Sequence, residues 1–198
     1  MTAWTAVRHL VPVRSTRGRA TLIAASLAAI LGIALAGPAI AGSTTAAAPY
    51  CGITWGSTAK SGGSLSVGSM IATRTGQQTC YDRLVFEFDG PANGYRVNYA
   101  SEVYTEGGQP MRSRTAGGAL LSVNLLENAN TYPHRTFDHV ANVSGYRTLR
   151  DVVYGGTFEG YTTFAVGVRA RLPMRVFVLA GPGSHTRIVI DVAHAWTQ

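Results

Sequence analysis

The sequence is poor in cysteine, with Cys51 and Cys80 as its only two. They are isolated, and no neighbouring His or Asp completes a metal-ligand spacing, so the pattern does not indicate a metal site. A reactive thiol is the other alternative, and it too lacks a supporting neighbour. We predict a disulfide between Cys51 and Cys80, which would close a loop of about 30 residues and add roughly 3–4 kcal/mol of stability.

Lysine is almost absent, because Lys60 is the single lysine among 17 basic residues. Four of the arginines, and none of the ten acidic residues, lie in the first 19 positions. Without this segment the formal charge falls from +7 to 13 − 10 = +3. The rest of the chain is therefore not basic enough to indicate nucleic-acid binding.

No apolar run reaches the ~20 residues that a membrane-spanning helix needs. The Ala20–Ala36 run follows the arginine-rich start, which is the layout of a secretory signal peptide. We place cleavage after Ala41, with Ala36 as the alternative site, and a retained membrane anchor is the remaining alternative. The sequence thus predicts a secreted protein with no permanent membrane span after cleavage.

Three segments follow from this organisation. Residues 1–41 are the predicted signal peptide, residues 42–50 are a small-residue linker that we expect to be flexible, and residues 51–198 form one domain. Trp55, between two glycines near Cys51, has two interpretations: a platform that stacks on a ligand, or, more commonly for tryptophan, a plug over one end of the core.

Helical periodicity is also missing after residue 50, and alternation with a period of two replaces it. In residues 82–89 it places Leu84, Phe86 and Phe88 on one face, which predicts a half-buried strand. Residues 95–99 are its expected hairpin partner, and residues 60–64 are expected to be a loop. The predicted strands are 65–75, 82–89, 95–99, 119–126, 149–158, 161–169, 174–179 and 187–193.

Strands at this spacing predict an all-β antiparallel sandwich. The order of strands and turns repeats, with Pro91 before Arg96-Val97 and Pro173 before Arg175-Val176, and indicates two related four-stranded halves. The closest match to residues 82–89, however, is the last strand, where Arg, Val and an acid recur at the same spacing. An N-terminal segment tied on by the disulfide completes the expected fold.

Several stretches resemble one family. Arg83-Leu84-Val85-Phe86-Glu87-Phe88 resembles the signature strand of AMIN domains, and residues 145–150, 168–179 and 192–196 are similar to the stand-alone AMIN-like domain of exported proteins from high-GC Gram-positive bacteria. The resemblance covers about residues 51–196. It implies a β-sandwich of two related four-stranded sheets and a non-catalytic role in binding peptidoglycan at the cell envelope through an exposed sheet face.

The residues that the resemblance marks on that face are Arg83, Val85 and Glu87 and, in the second copy, Arg187 and Asp191. An arginine and an acid two strand positions apart can hydrogen-bond the carboxylate and amide groups of a muropeptide. The alternative is a cross-strand ion pair on a solvated surface, worth ~0.2–1 kcal/mol. The sequence leaves both interpretations open.

A second candidate is the long segment 127–148, which breaks the strand pattern. It carries Tyr132, His134, Phe137 and His139, and so many aromatic and imidazole side chains in one loop predict an interaction surface. The alternative function is therefore an exported protein-interaction module, an inhibitor or an accessory subunit, that binds another exported protein through this loop.

Catalysis is not indicated. No nucleophile-elbow or zinc motif includes the candidate histidines, aspartate and serines, so we predict no enzyme activity, no metal and no cofactor. The residues considered are His134, Asp138, His139, Ser144, Ser184, His185 and His194.

Overall fold

The computed structural model describes residues 49–196, all of which fall in one compact unit. The predicted signal peptide, both cleavage sites and residues 42–48 of the predicted linker lie outside the described residues. Tyr50, at the end of that linker, begins a short 3-10 turn, Tyr50–Gly52, and the disulfide to Cys80 follows at Cys51. The predicted disulfide is confirmed.

The described residues form nine strands and no α-helix. A second 3-10 turn lies at Arg112–Arg114. The strands are β1 Lys60–Gly62, β2 Ser69–Gln77, β3 Tyr81–Asp89, β4 Tyr95–Ala100, β5 Ala119–Leu125, β6 Leu149–Phe158, β7 Tyr161–Val168, β8 Met174–Ala180 and β9 His185–Ala193.

Two antiparallel sheets make up the domain. The five-stranded sheet has the order β1-β4-β5-β7-β6 and the four-stranded sheet has the order β2-β3-β9-β8. The core lies between them, where the Phe86 and Phe164 rings are 4.7 Å apart. Leu84, Phe86 and Phe88 are fully buried on the inner face, so the prediction of an all-β antiparallel sandwich with these residues inside is confirmed.

The expected hairpin between residues 82–89 and 95–99 is wrong. The turn after β3 crosses to the other sheet, where β4 pairs with β1 and β5. Gly94 permits the crossing, because a Cβ on it would lie 2.4 Å from the Ser64 carbonyl oxygen and 2.5 Å from the Leu126 Cβ. The bare glycine backbone thus packs directly against the second sheet.

Two strand bounds also differ from the prediction. Residues 60–62 form the short strand β1 inside a segment expected to be a loop, and β2 begins at Ser69 rather than at residue 65. Leu65 and Val67 are correspondingly exposed, by 52% and 87%. Apolar residues alone therefore placed this strand four positions too early.

The strand order has an internal symmetry. Strands β2 to β5 contribute one hairpin to the four-stranded sheet and one to the five-stranded sheet, and β6 to β9 do the same in reverse. With β1 set aside, exchanging the two halves maps each sheet order onto the other. This topology agrees with the predicted pair of related four-stranded halves.

The likeness of the last strand to residues 82–89 has a separate cause. In the β3–β9 pair, Arg83 lies opposite Asp191 and Glu87 opposite Arg187. A pattern of arginine, valine and acid at alternate positions is complementary to itself when two strands run antiparallel. The two matching strands are thus each other's neighbours at the centre of one sheet.

Long segments cover the five-stranded sheet and one side of the sandwich. Residues 101–118 pack Val103 and Met111 on the outer face of the five-stranded sheet. Segment 127–148 closes the side between the edge strands: the N–H of Val140 donates to Val152 in β6, and the Tyr132 hydroxyl bonds Thr73 in β2 at 2.7 Å. The segment around Trp55 packs on the outer face of the four-stranded sheet.

Candidate functional site

Three charged side chains form the centre of the outer face of the four-stranded sheet. Arg83 holds Asp191 with two hydrogen bonds, Nε to Oδ1 at 2.7 Å and Nη2 to Oδ2 at 2.9 Å. Arg175 in β8 donates to Oδ2 of the same carboxylate from Nε at 2.8 Å. The hydrogen bond to Asp191 raises the pKa of Arg83, and arginine side chains stay charged in proteins.

Asp191 is completely buried, whereas the side chains of Arg83 and Arg175 are 27% and 31% exposed. We expected Asp191 to be an outward residue on a wet face, and its burial corrects that expectation. The Asp191 side chain does project from the outer face of the sheet, but the two guanidinium groups and the surrounding rings cover it. A ligand at this face would therefore meet the arginines and not the carboxylate.

Aromatic rings surround the two guanidinium groups. The Arg175 guanidinium lies 5.0 Å from the Phe177 ring centre, 5.3 Å from that of Tyr81 and 5.5 Å from that of Trp55. The Arg83 group lies 5.3 Å from Tyr81 and 5.5 Å from Phe177. Cations over ring faces at these distances attract each ring's quadrupole. We call the set Arg83, Arg175, Asp191, Trp55, Tyr81 and Phe177 the arginine–aromatic face.

Trp55 belongs to this face and does not plug the core. Its ring centre is 5.8 Å from that of Tyr81, and its Nε1 donates to the Tyr50 carbonyl oxygen at 2.9 Å. The Cys51–Cys80 disulfide places it there, because Cys80 immediately precedes Tyr81 and Cys51 is four residues from Trp55. The interpretation as a core plug is thus wrong.

A second charge cluster occupies the other end of the same sheet face. Glu87 accepts a hydrogen bond from Arg74 Nε at 2.7 Å and lies 3.0 Å from His185 Nδ1. The hydrogen bond from Arg74, followed by the one from His185, lowers the pKa of Glu87. Arg187 lies opposite Glu87 but donates instead to the Ala180 carbonyl oxygen at 3.3 Å.

The five predicted face residues therefore share one surface. Arg83, Val85 and Glu87 lie on the outer side of β3, and Arg187 and Asp191 lie opposite on β9. Only the Arg83–Asp191 pair is a direct ion pair, and Glu87 belongs to the separate cluster with Arg74 and His185. Whether these residues bind a ligand stays a prediction.

Three members of the arginine–aromatic face escaped the sequence analysis, Arg175, Tyr81 and Phe177, whereas a ligand-stacking platform was one of the two interpretations given for Trp55. Arg175 and Phe177 are two positions apart in β8, so the alternation of a strand already predicts that they share one face. The predicted disulfide would also have brought Trp55 close to Tyr81. The information was present in the sequence, but it required combining a covalent constraint with the strand register.

The predicted interaction-loop residues are dispersed. Tyr132 is only 6% exposed and belongs to the core, and the Arg114 guanidinium covers Phe137 at 4.4 Å. His134 packs on Tyr132, with 4.5 Å between ring centres. His139 is the most accessible, with 59% of its side chain exposed while its Nδ1 lies 2.7 Å from Asp151.

Histidine–carboxylate pairs recur through the domain, but they do not converge. His134, His139, His185 and His194 each face a different carboxylate: Asp138, Asp151, Glu87 and Asp82, respectively. No three potential metal ligands meet anywhere within residues 49–196. The same residues include no helix that is long and apolar enough to cross a bilayer.

Fold and surface together define a β-sandwich with an arginine–aromatic patch on the outer face of one sheet. The chain belongs to the AMIN-like domain family, whose model matches residues 68–194. AMIN-like domains are in general non-catalytic and are associated with the cell envelope. No curated protein matches the chain in sequence.

Proposed function

We propose that the protein is exported and binds peptidoglycan at the cell envelope through the arginine–aromatic face. The observation that carries the proposal is the pair of half-exposed arginines, Arg83 and Arg175, fixed on one buried carboxylate among three aromatic rings. Such a surface combines hydrogen-bond donors with flat apolar area. Membership of the AMIN-like family supports the same ligand class.

The free donors suit the polar groups of peptidoglycan. The Nη1 groups of Arg83 and Arg175 have no hydrogen-bond partner within residues 49–196, so they remain available to a ligand. Stem-peptide carboxylates and N-acetyl carbonyl groups are acceptors for such donors. The rings of Trp55, Tyr81 and Phe177 offer apolar surface to the faces of sugar rings.

Asp191 supports this surface from below. It neutralises one of the two positive charges and fixes the direction of both guanidinium groups, which lowers the entropy that each would lose on binding. Because the Asp191 carboxylate is buried, an anionic ligand on this face would not come into contact with it. The face thus keeps a net charge of +1 from these three residues.

The test is cosedimentation of the protein, without residues 1–41, with purified peptidoglycan sacculi. Trp55→Ala and Arg83→Lys should each weaken binding by about tenfold, because a stacking ring or a bidentate fork is lost. Phe158→Ala is the matched control, since Phe158 is 61% exposed on the β6–β7 hairpin, away from the face. No enrichment over a denatured control, or equal losses in all three variants, would overturn the proposal.

A second candidate function is protein–protein interaction through segment 127–148. It is favoured by a groove of about 620 Å³ beside the exposed His139, with Asn142, Ser144 and Arg150 along its walls. Deleting residues 132–139 cannot test it, because Tyr132 is part of the core. His139→Ala with Asn142→Ala keeps the core intact, and unchanged capture of a partner from culture supernatant would argue against this candidate.

A further inference from the structure

A separate concave site lies between segment 127–148, the turn at residues 106–107 and strand β6. It is a cleft of about 340 Å³, at the lower end of the size range for small-molecule sites. It is distant in the fold from the arginine–aromatic face, because its walls belong to the five-stranded sheet and its covering segments. The residues that matter for its chemistry are Glu106, Asn130, Tyr132, His134, Arg135 and Tyr154.

Tyr154 provides an unsatisfied hydroxyl in this cleft. Its side chain is only 4% exposed, and its ring packs against Phe164 at 5.2 Å and Tyr132 at 5.4 Å between centres. Tyr154 lines the cleft, and no residue from 49 to 196 hydrogen-bonds its hydroxyl. The ring is buried, but the hydroxyl oxygen itself stays accessible. A hydroxyl that reaches a cleft and that no protein group engages is available to hydrogen-bond a ligand.

Glu106 brings an oriented acceptor to the same place. Its Oε1 accepts a hydrogen bond from the Thr163 hydroxyl at 2.6 Å, and its own N–H donates to the Gly155 carbonyl oxygen at 3.0 Å. Oε2 has no partner in the described part of the chain. Burial first, and the Glu106 charge second, raise the pKa of Tyr154, so its hydroxyl keeps its proton.

A bulge in β6 makes room for this arrangement. The β6–β7 register shifts between Tyr154 and Gly156, and Gly156 has φ +106°. A Cβ at that position would come within 3.3 Å of Thr136 Oγ1 and 3.5 Å of Glu106 Cβ. The absence of a side chain in this left-handed conformation lets the Glu106 turn approach the strand.

We infer that this cleft binds a sugar ring of a neutral saccharide. Glu106 and Arg135 contribute one negative and one positive charge to the lining, so a ligand without net charge fits it best. The Glu106 carboxylate, the Tyr154 hydroxyl and the Asn130 amide are the group types that hydrogen-bond ring hydroxyls. Tyr132 and His134, whose rings lie 4.5 Å apart, supply the apolar wall.

Two tyrosines allow a crossed test. Tyr154→Phe removes a hydroxyl without a protein partner, whereas Tyr132→Phe removes one that already bonds Thr73 at 2.7 Å. Binding of glucose, N-acetylglucosamine and the β-1,4-linked tetramer of N-acetylglucosamine is measured by saturation-transfer NMR and calorimetry. Tyr154→Phe and Glu106→Gln should lower the affinity by about tenfold, because a ligand hydrogen bond is lost.

Tyr132→Phe should keep the affinity of the unsubstituted protein while lowering the unfolding midpoint. Tyr154→Phe should lower the affinity while keeping the unfolding midpoint. If the unsubstituted protein shows no saturable binding to any of the three sugars, the inference is overturned. Equal affinity in Tyr154→Phe and the unsubstituted protein would also overturn it. Because the arginine–aromatic face is itself proposed to contact N-acetyl sugars, the loss of affinity in Tyr154→Phe and Glu106→Gln, which leave that face unchanged, is the result that assigns binding to the cleft.

Discussion

The hydroxyl of Ser66 hydrogen-bonds the Oε2 atom of Glu127 and also lies 2.8 Å from the carbonyl oxygen of Pro91. The serine hydroxyl donates to this carboxylate oxygen. Oε1 of Glu127 accepts from the N–H groups of Asn93 at 2.9 Å and Gly94 at 3.1 Å. Burial raises the pKa of Glu127 and outweighs these three donors, each of which lowers it.

Glu127→Gln should therefore become relatively more stable as the pH rises. The folded-state pKa of Glu127 lies above the ordinary value of 4.5, so its contribution to stability is full in acid and is lost as the pH rises through that pKa. Glutamine keeps the pattern of a protonated carboxyl group at every pH. Urea unfolding across a pH series checks this, and a constant difference between variant and parent would contradict it.

Glu87→Gln should show the opposite pH dependence. Hydrogen bonds from Arg74 and His185 lower the pKa of Glu87 below 4.5, so its contribution is present above that value and is lost as the pH falls through the folded-state pKa. The variant should be less stable than the parent near neutral pH, and the difference should shrink in acid. The same unfolding series measures it, and a difference that grows in acid would refute the assignment.

Replacing both disulfide cysteines by serine should affect stability and the binding face together. The Cys51–Cys80 bond spans a sequence separation of 29, and its loss should lower the free energy of unfolding by about 3–4 kcal/mol. Trp55 would also lose its link to Tyr81, which tryptophan fluorescence can report. Unchanged binding to sacculi in a folded double variant would show that Trp55 does not contribute to the face.

Asp82 and His194 should behave as one unit in a double-mutant cycle. His194 Nε2 lies 2.9 Å from Asp82 Oδ1, and the two side chains are 2% and 0% exposed. His194→Ala leaves the aspartate buried without its partner and should cost about 3–5 kcal/mol. With Asp82→Asn added, the total should fall short of the sum by about 1–3 kcal/mol, whereas additive losses would mean no coupling.

Alternation along the chain was enough to predict most strands and the inward side chains. A period of two fixes which residues share a face, and Leu84, Phe86 and Phe88 are buried as that rule requires. The disulfide could be predicted because the sequence has only two cysteines and therefore no competing partner for either. These features depend on local patterns or on simple counting.

Sheet assignment was not available from such patterns. The turn after β3 looks like a hairpin turn in the sequence, but close packing at Gly94 and the bonds to Glu127 direct the chain into the second sheet. The burial of Asp191 likewise depends on Arg175, 16 positions away on a neighbouring strand. Both results come from contacts between segments that the sequence does not mark as neighbours.

The Tyr154 cleft was beyond sequence reasoning for a further reason. It needs residues 101–118 folded back over the five-stranded sheet, so that Glu106 reaches the β6 bulge at Gly156. Neither Glu106 nor Tyr154 belongs to a recognisable motif. A site assembled from two loops and a strand is visible only once those segments are placed.

The pairing of β3 with β9 has a consequence for the unfolded chain. Arg83, Val85 and Glu87 are as complementary to a second antiparallel copy of themselves as they are to β9, since Arg83 would again face an acid and Val85 a valine. Isolated strands of this sequence should therefore self-assemble. In the folded protein both strands lie at the centre of the sheet, where neighbours on each side leave no free edge for another molecule.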